Sequence, residues 1–155
     1  MLDDMKKIES LSAKALPESL VLEFFDRVWH APHELDAIDE LMTEDYVITT
    51  AGKEVNGRDA FKHWVGVFQE QLSEAKTESV ELFYNQEQDK VVSRWVCSGR
   101  NNGLFGLKAD NQFLSFTGIA IWTVRDGRLS ACWVERSAYE LHQHLIAAKP
   151  ESDFV

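Results

Sequence analysis

Three residues near the C-terminal end of the chain carry side chains that together could transfer a proton. In the segment "RLSACWVERSAYELHQHL", Trp133, Glu135 and Ser137 are spaced two residues apart. Side chains alternate along a β-strand, so this spacing predicts an indole, a carboxyl and a hydroxyl on one face. A carboxyl beside an indole in an apolar pocket has a raised pKa, which suits a general acid or base. The alternative is a glutamate that pairs with Arg94 or Arg136, or that reaches solvent at the strand end.

Hydrophobic periodicity predicts the elements that would position these groups. Apolar residues recur at helical spacing in the first part of the chain, and β-rich segments separated by turns follow. We expect helices over 17–31, 32–42, 56–72 and 137–148, and strands over 45–52, 78–86, 90–99 and 112–124, with a final strand after the turn 125–128. This order predicts an α+β domain, in which three N-terminal helices pack on the concave face of a curved, mostly antiparallel sheet and a C-terminal helix follows. We expect a lead-in over 1–16, one domain over 17–150 and a tail over 151–155.

The composition restricts the classes of partner. The 155 residues carry a formal net charge of −10, and 45% of them are hydrophobic. An acidic surface repels phosphate groups, so we expect no nucleic-acid partner and no binding to an anionic membrane. No segment approaches the roughly 18 apolar residues of a membrane helix, and no targeting signal is visible, which predicts a cytoplasmic protein. Cys97 and Cys132 lie in apolar strand-like runs and are expected to be buried, reduced thiols.

The second half of the chain contains a set of spaced motif positions: Arg94, Gly99, Gly103, Phe105, Phe116, Thr117, Gly118, Ile119, Asp126, Gly127 and Trp133. In type and spacing these residues resemble the SnoaL-like group of polyketide cyclases and ester cyclases, within the nuclear transport factor 2-like superfamily. Upstream, "DYVITTAGKEVNGRDAFKHWV" resembles the first strand and third helix of the same group. The resemblance covers roughly residues 18–147. It implies a cone-shaped fold with a deep, mainly apolar pocket, and homodimers formed through the outer face of the sheet.

The resemblance also identifies candidate catalytic residues, and one family position is changed. SnoaL-like cyclases have an Asp four residues after the strand tryptophan, which acts as general acid/base; this chain has Ser137 there. A neutral serine cannot take that role unaided, so Glu135 is the expected substitute. Arg94 matches the strand arginine of the family. It would stabilise an enolate or carboxylate oxygen, or would pair with a carboxylate across the sheet.

The remaining candidate pocket residues are neutral or aromatic. Thr49 and Asn101 stand where relatives often place Asp or His, and His30 is the histidine nearest to the expected entrance. In the cone that the resemblance implies, the third helix and the last strand face the interior. This adds Trp64, Phe68, Tyr46 and Phe116 to Trp133 and Ser137 as candidate pocket residues. His142 and His144 are two residues apart on a helix and cannot bind one metal ion together, so we expect no metal. The sequence has no Gly-rich phosphate-binding loop, and we expect no cofactor.

Two functions from different classes remain open on this sequence. One is cofactor-independent acid/base cyclisation or isomerisation of an apolar carbonyl compound, with Glu135 and Arg94 as catalytic residues. The other is a non-catalytic module that binds a small apolar ligand or serves in assembly, because the family's catalytic Asp is absent. Epoxide hydrolysis is a third possibility, but it needs two aspartates beside the arginine, and these cannot be assigned.

Overall fold

The computed structural model describes residues 16–147, and within them the chain forms four helices and one six-stranded sheet. The elements are α1 (Pro17–Val28), α2 (Ala37–Leu41), β1 (Met42–Thr50), β2 (Lys53–Asn56), α3 (Arg58–Glu70), β3 (Leu72–Tyr84), β4 (Lys90–Asn101), β5 (Phe113–Arg125), β6 (Arg128–Arg136) and α4 (Ala138–Ala147). A short 3-10 turn, Leu104–Gly106, lies between β4 and β5. The predicted lead-in before residue 16, the tail over 151–155 and the last residue of the predicted final helix lie outside the described residues.

The sheet confirms the predicted α+β class. Its strands follow the order β2-β1-β6-β5-β4-β3, and every neighbouring pair is antiparallel except β1 with β6. The pairing of β4 with β5 runs from Lys90–Thr123 to Arg100–Phe113. Of the helices within residues 16–147, none has the length and apolar character needed to cross a membrane.

Helices α1 and α3 cover one face of the sheet because each has a continuous apolar side. In α1, Leu20, Phe24 and Val28 are buried at helical spacing, and Pro17 occupies the first turn, where its missing N–H is tolerated. In α3, Phe61 and Val65 are buried in the same way. These two helices and the inner face of the sheet build the core.

An ion-pair cluster joins α1 to the segment that contains α2. The Arg27 guanidinium contacts the carboxylates of Glu23, Glu34 and Glu40, each at 2.7 Å. This cluster holds the pKa of Glu34 below its usual range, chiefly through the hydrogen bond from Arg27.

Alternation along β5 defines the two faces of the sheet. Phe116, Ala120 and Trp122 point inward and are buried, whereas Ile119 and Ile121 point outward and are exposed. The inward position between Phe116 and Ala120 is Gly118, and the Trp95 indole of β4 packs directly over it. A Cβ on Gly118 would lie 2.6 Å from Trp95 Cε2, so only glycine allows this packing.

Several boundaries differ from the sequence-based prediction, and two of the differences have a clear local reason. Strand β2 was not predicted, because its residues are largely exposed and therefore have no hydrophobic pattern. Strand β3 begins at Leu72 rather than at 78, because a register shift near Glu74, a residue with φ of 54°, interrupts the alternation. The second helix is limited to Ala37–Leu41.

Candidate functional site

A cavity lies between α1, α3 and the inner face of the sheet, and its lining is almost wholly apolar. Its volume is about 60 Å³. The lining side chains are Phe24, Phe25, Trp29, Tyr46, Ile48, Phe61, Trp64, Phe68, Thr77, Trp95, Cys97, Phe116, Ala120, Trp122, Cys132, Val134 and Arg136. The volume is well below the roughly 300 Å³ at the lower end of pockets for drug-sized ligands.

A ladder of aromatic rings on α3 forms one wall of the cavity. Phe61, Trp64 and Phe68 recur at helical spacing, and consecutive ring centroids are 6.1 and 6.3 Å apart in nearly parallel planes. Phe68 also meets Trp29 and Phe116 edge-on, at 5.7 and 6.2 Å. These contacts fix the rings and give the wall a defined shape.

Arg136 supplies the charged group of the cavity. It is the last residue of β6, and its side chain lies on the same inner face of the sheet as those of Cys132 and Val134. Its Cζ lies 5.6 Å from the Trp64 ring centroid and 5.8 Å from that of Phe68, within the range of cation–π attraction. Burial lowers the pKa of the guanidinium from its usual value, which marks a cation partly withdrawn from water.

Two unpaired hydrogen-bond donors lie at the other end of the cavity. The Cys132 thiol and the Trp122 indole lie beside the Tyr46 hydroxyl. Neither Tyr46 Oη nor Trp122 Nε1 makes a hydrogen bond of good geometry to any described residue. Burial, with the adjacent thiol, raises the pKa of Tyr46 well above its ordinary value, so the phenol stays protonated.

Both cavity thiols are also protonated at neutral pH. Burial raises the pKa of Cys97 to about 11, and it raises that of Cys132 to about 12. Thiolate is the nucleophilic form of cysteine, so neither residue is an activated nucleophile. In the described part of the chain, the cavity lining has no carboxylate and no imidazole that could act as a general acid or base.

The predicted placement of Trp133 and Glu135 in the pocket is wrong. Trp133 lies opposite Ile121, and Glu135 lies opposite Ile119, so both belong to the outer face of the sheet. Trp133 is 51% exposed, Glu135 is also exposed, and Trp133 Nε1 donates a hydrogen bond to Glu135 Oε1 at 2.9 Å. The two residues do share a face as expected, but it is the opposite face from the cavity.

Two further candidates lie on the same outer face. Arg94 is exposed, and its guanidinium contacts Glu81 Oε2 at 3.4 Å across β3 and β4, which is the predicted alternative of an ion pair across the sheet. Thr49 lies opposite Trp133 in the parallel pairing of β1 with β6. Neither residue lines the cavity.

Ser137 and Asn101 make structural hydrogen bonds outside the cavity lining. Ser137 Oγ accepts from the Thr117 N–H at 2.9 Å, which joins the start of α4 to β5. Asn101 is buried and holds the connection between β4 and β5: its amide donates to Lys108 O and Asp110 Oδ1, and its oxygen accepts from the Leu104 N–H.

His30 also lies outside the cavity lining. Its Nε2 lies 2.7 Å from the backbone oxygen of Thr77 and fastens the end of α1 to β3. Of the remaining candidates, Tyr46, Trp64, Phe68 and Phe116 do line the cavity.

Sequence reasoning missed Arg136 as a pocket residue. The alternation of side chains along β6 could have identified it. Cys132 and Val134, which are small and apolar, lie on the same face as Arg136, whereas Trp133 and Glu135 lie on the other face. A strand face that carries an isolated glutamate is typically the solvated one.

Comparison with known proteins agrees with this architecture. The SnoaL-like domain matches residues 21–132. The chain belongs to the SnoaL-like domain family. No curated protein matches this SnoaL-like chain.

Solved structures share the SnoaL-like fold at low sequence identity. A protein from Jannaschia sp. CCS1, named as a SnoaL-like polyketide cyclase, is 18% identical, with a TM-score of 0.78 over 88% of this chain and 95% of that one. A protein from Xanthomonas campestris, named as a polyketide cyclase, is 21% identical, with a TM-score of 0.74 over 84% and 97%. A protein from Catenulispora acidiphila with a ketosteroid isomerase-like fold is 12% identical, with a TM-score of 0.65 over 79% and 88%. At these identities the likeness establishes the fold.

Proposed function

We propose that this SnoaL-like protein binds a small, mainly apolar molecule in the cavity and does not catalyse acid/base cyclisation or isomerisation. The observation that carries the proposal is the lining itself, which combines stacked aromatic rings with protonated thiols and a protonated phenol. General acid–base catalysis needs a group whose pKa is close to the working pH. The described lining offers none.

The size of the cavity supports a small ligand. A volume of about 60 Å³ is far too small for a polycyclic molecule. A slim ligand with a short hydrocarbon chain fits this space better. Its hydrocarbon part would lie among the aromatic rings of the lining.

The distribution of tryptophans provides a test with an internal control. Trp29, Trp64, Trp95 and Trp122 line the cavity, whereas Trp133 lies on the outer face. We expect titration with 1-butanol to shift the indole N–H signals of the four cavity tryptophans in ¹H–¹⁵N NMR spectra and to leave that of Trp133 in place. No shift, or equal shifts of all five signals, would refute binding in the cavity.

A pair of valine substitutions controls for general effects on the sheet. Ala120→Val adds volume inside the cavity and should weaken 1-butanol binding. Ser115→Val introduces the same valine side chain on the outer face of the same strand and should leave 1-butanol binding unchanged. Equal effects of the two variants would argue against the cavity as the binding site.

We also propose that the outer face of the sheet forms a homodimer. Phe83, Val92, Ile121 and Trp133 lie directly opposite one another across β3, β4, β5 and β6, and we call these four residues the outer row. Phe83, Ile121 and Trp133 are 55%, 44% and 51% exposed. A continuous exposed apolar row is typical of a protein–protein contact, and a second copy would cover it.

Sedimentation velocity tests this dimer. Ile121→Lys places a charge in the centre of the outer row and should convert a dimer to a monomer. Val67→Lys changes an exposed apolar residue on α3, far from the outer row, and should leave the mass unchanged. A monomeric wild-type protein would contradict the proposal.

A further inference from the structure

Arg136 differs from the other arginines in the described part of the chain. None of the ion pairs or side-chain hydrogen bonds formed within residues 16–147 includes it. Arg128 also takes part in none of these contacts, but it is exposed at the start of β6, whereas Arg136 is half-buried. The arginines that form ion pairs are Arg27, Arg58, Arg94, Arg100 and Arg125.

The absence of a counter-ion is informative because the protein is acidic. With a net charge of −10, carboxylates are abundant, and most of the arginines have one as a neighbour. Arg136 instead has aromatic rings on α3 and the Cys97 thiol nearby. A half-buried guanidinium without an anion beside it loses part of its hydration, and a bound anion would offset that cost.

The hydrogen-bonding groups of Arg136 remain available to a ligand. A guanidinium has five N–H donors, arranged so that two of them can bind both oxygens of one carboxylate. The contacts with Trp64 and Phe68 involve the charge and use no N–H donor on an oxygen atom. Since Arg136 lines the cavity, its donors lie where a ligand in the cavity could meet them.

The lining also limits the charge of that anion. Arg136 is the one cationic side chain among the described lining residues. A second positive group, which a phosphate dianion would need, is missing from the described lining residues. The apolar remainder of the lining requires that the rest of the ligand be hydrocarbon.

We propose that Arg136 binds the carboxylate of a short apolar monocarboxylic acid, whose hydrocarbon chain lies in the cavity. This inference rests on the proposed function, because it specifies the ligand class of the same cavity. It assigns Arg136 as the residue that distinguishes an acid from its neutral analogue.

Butyrate and butyramide test the inference because they have nearly the same shape and differ in charge. We expect the wild-type protein to bind butyrate about tenfold more tightly than butyramide, since one charge-assisted hydrogen-bonded pair is worth about that factor. The indole N–H signals of the cavity tryptophans report the binding of both. Arg136→Gln should remove the preference by lowering the affinity for butyrate about tenfold.

Two further variants complete the experiment. Arg128→Gln removes an exposed arginine from the same strand and should keep the preference for butyrate. Arg136→Lys keeps the charge without the two-pronged geometry and should retain part of the preference. If Arg136→Gln fails to fold, Arg136→Lys still tests whether the preference for butyrate depends on this side chain.

The outcomes separate this inference from the function on which it rests. If butyrate and butyramide bind the wild type equally, or if Arg136→Gln keeps the preference, the assignment of Arg136 is wrong while cavity binding stands. If neither compound nor 1-butanol shifts the cavity indoles, the proposed function fails, and the inference fails with it.

Discussion

Replacing Arg136 by methionine should make the protein more stable. The wild-type guanidinium is partly desolvated, and the groups that face it in the described residues are two aromatic rings rather than a carboxylate. Methionine is of similar length, is apolar and adapts to irregular space, so it can fill the same position among Trp64 and Phe68. The substitution removes a cation without leaving any carboxylate unpaired, because none is paired with Arg136 in the described chain.

The size of the gain follows from two opposing contributions. Desolvation of an ion costs several kcal/mol in a protein interior, and cation–π contacts return about 0.5–2 kcal/mol each. Because Arg136 is half-buried, solvent screening reduces the desolvation cost until the two contributions largely offset each other. The gain then comes from the apolar surface that methionine buries beside the rings, about half of the roughly 1.5–3 kcal/mol of a fully buried side chain. We therefore expect Arg136→Met to raise the free energy of unfolding by about 1–2 kcal/mol, or the Tm by about 2–8 °C.

Urea unfolding and calorimetry at pH 7 without added ligand measure this change. Arg128→Met is the matched control, since an exposed arginine at the start of the same strand should contribute less than about 0.5 kcal/mol. A loss of 1 kcal/mol or more in Arg136→Met would refute the reasoning, because it would mean that the guanidinium has a stabilising partner. The variant should at the same time lose its preference for butyrate.

Three other predictions concern the thiols, an ion pair and a glycine. Cys97 and Cys132 should resist iodoacetamide at pH 8 in the folded protein and react after unfolding in guanidinium chloride, since burial keeps both thiols protonated; rapid labelling of the folded protein would contradict this. The lowered pKa of Glu34 means that its pair with Arg27 stabilises the fold above the usual carboxyl pKa and ceases to do so as the pH falls through the lowered value. Urea unfolding should therefore show Glu34→Gln to be less stable than wild type at pH 7, with the difference vanishing in acid; a constant difference would count against the pair. Gly118→Ala should lower the unfolding free energy by about 1–3 kcal/mol, because its Cβ would collide with the indole packed over it; unchanged urea unfolding would show that the indole moves freely.

Periodicity and turn signals predicted most of the fold. The apolar repeat of α1 and the alternation of β5 are strong because one side of each element is buried and the other is solvated. The prediction failed where that contrast is absent, as in the exposed strand β2, or where an irregular residue such as Glu74 breaks the repeat. The long-range pairing of β1 with β6 could not be read from local patterns, because register depends on contacts between distant segments.

The candidate site shows a sharper division between what was and was not predictable. Period-two alternation correctly grouped Trp133 with Glu135, but alternation alone does not say which of the two faces meets the core. A large indole suggested the inside, whereas the exposed Ile121 across the strand pair places it outside. Shifting the alternation by one residue exchanges every side chain between the two faces, so this single error placed Glu135 in the cavity and left Arg136 unrecognised.

The resulting site combines two features that favour binding over catalysis. Its protonatable groups have pKa values displaced away from neutrality by burial, so proton transfer at neutral pH lacks a donor and an acceptor of matched pKa. Its one cation, the Arg136 guanidinium, has no counter-ion among the described residues. This lowers the free energy of unfolding of the empty protein, and a bound anion restores it. A neutral ligand could not return that free energy, whereas a carboxylate could. For this reason ligand binding and stability should be coupled through Arg136: butyrate should raise the Tm of the wild type and leave that of Arg136→Met nearly unchanged.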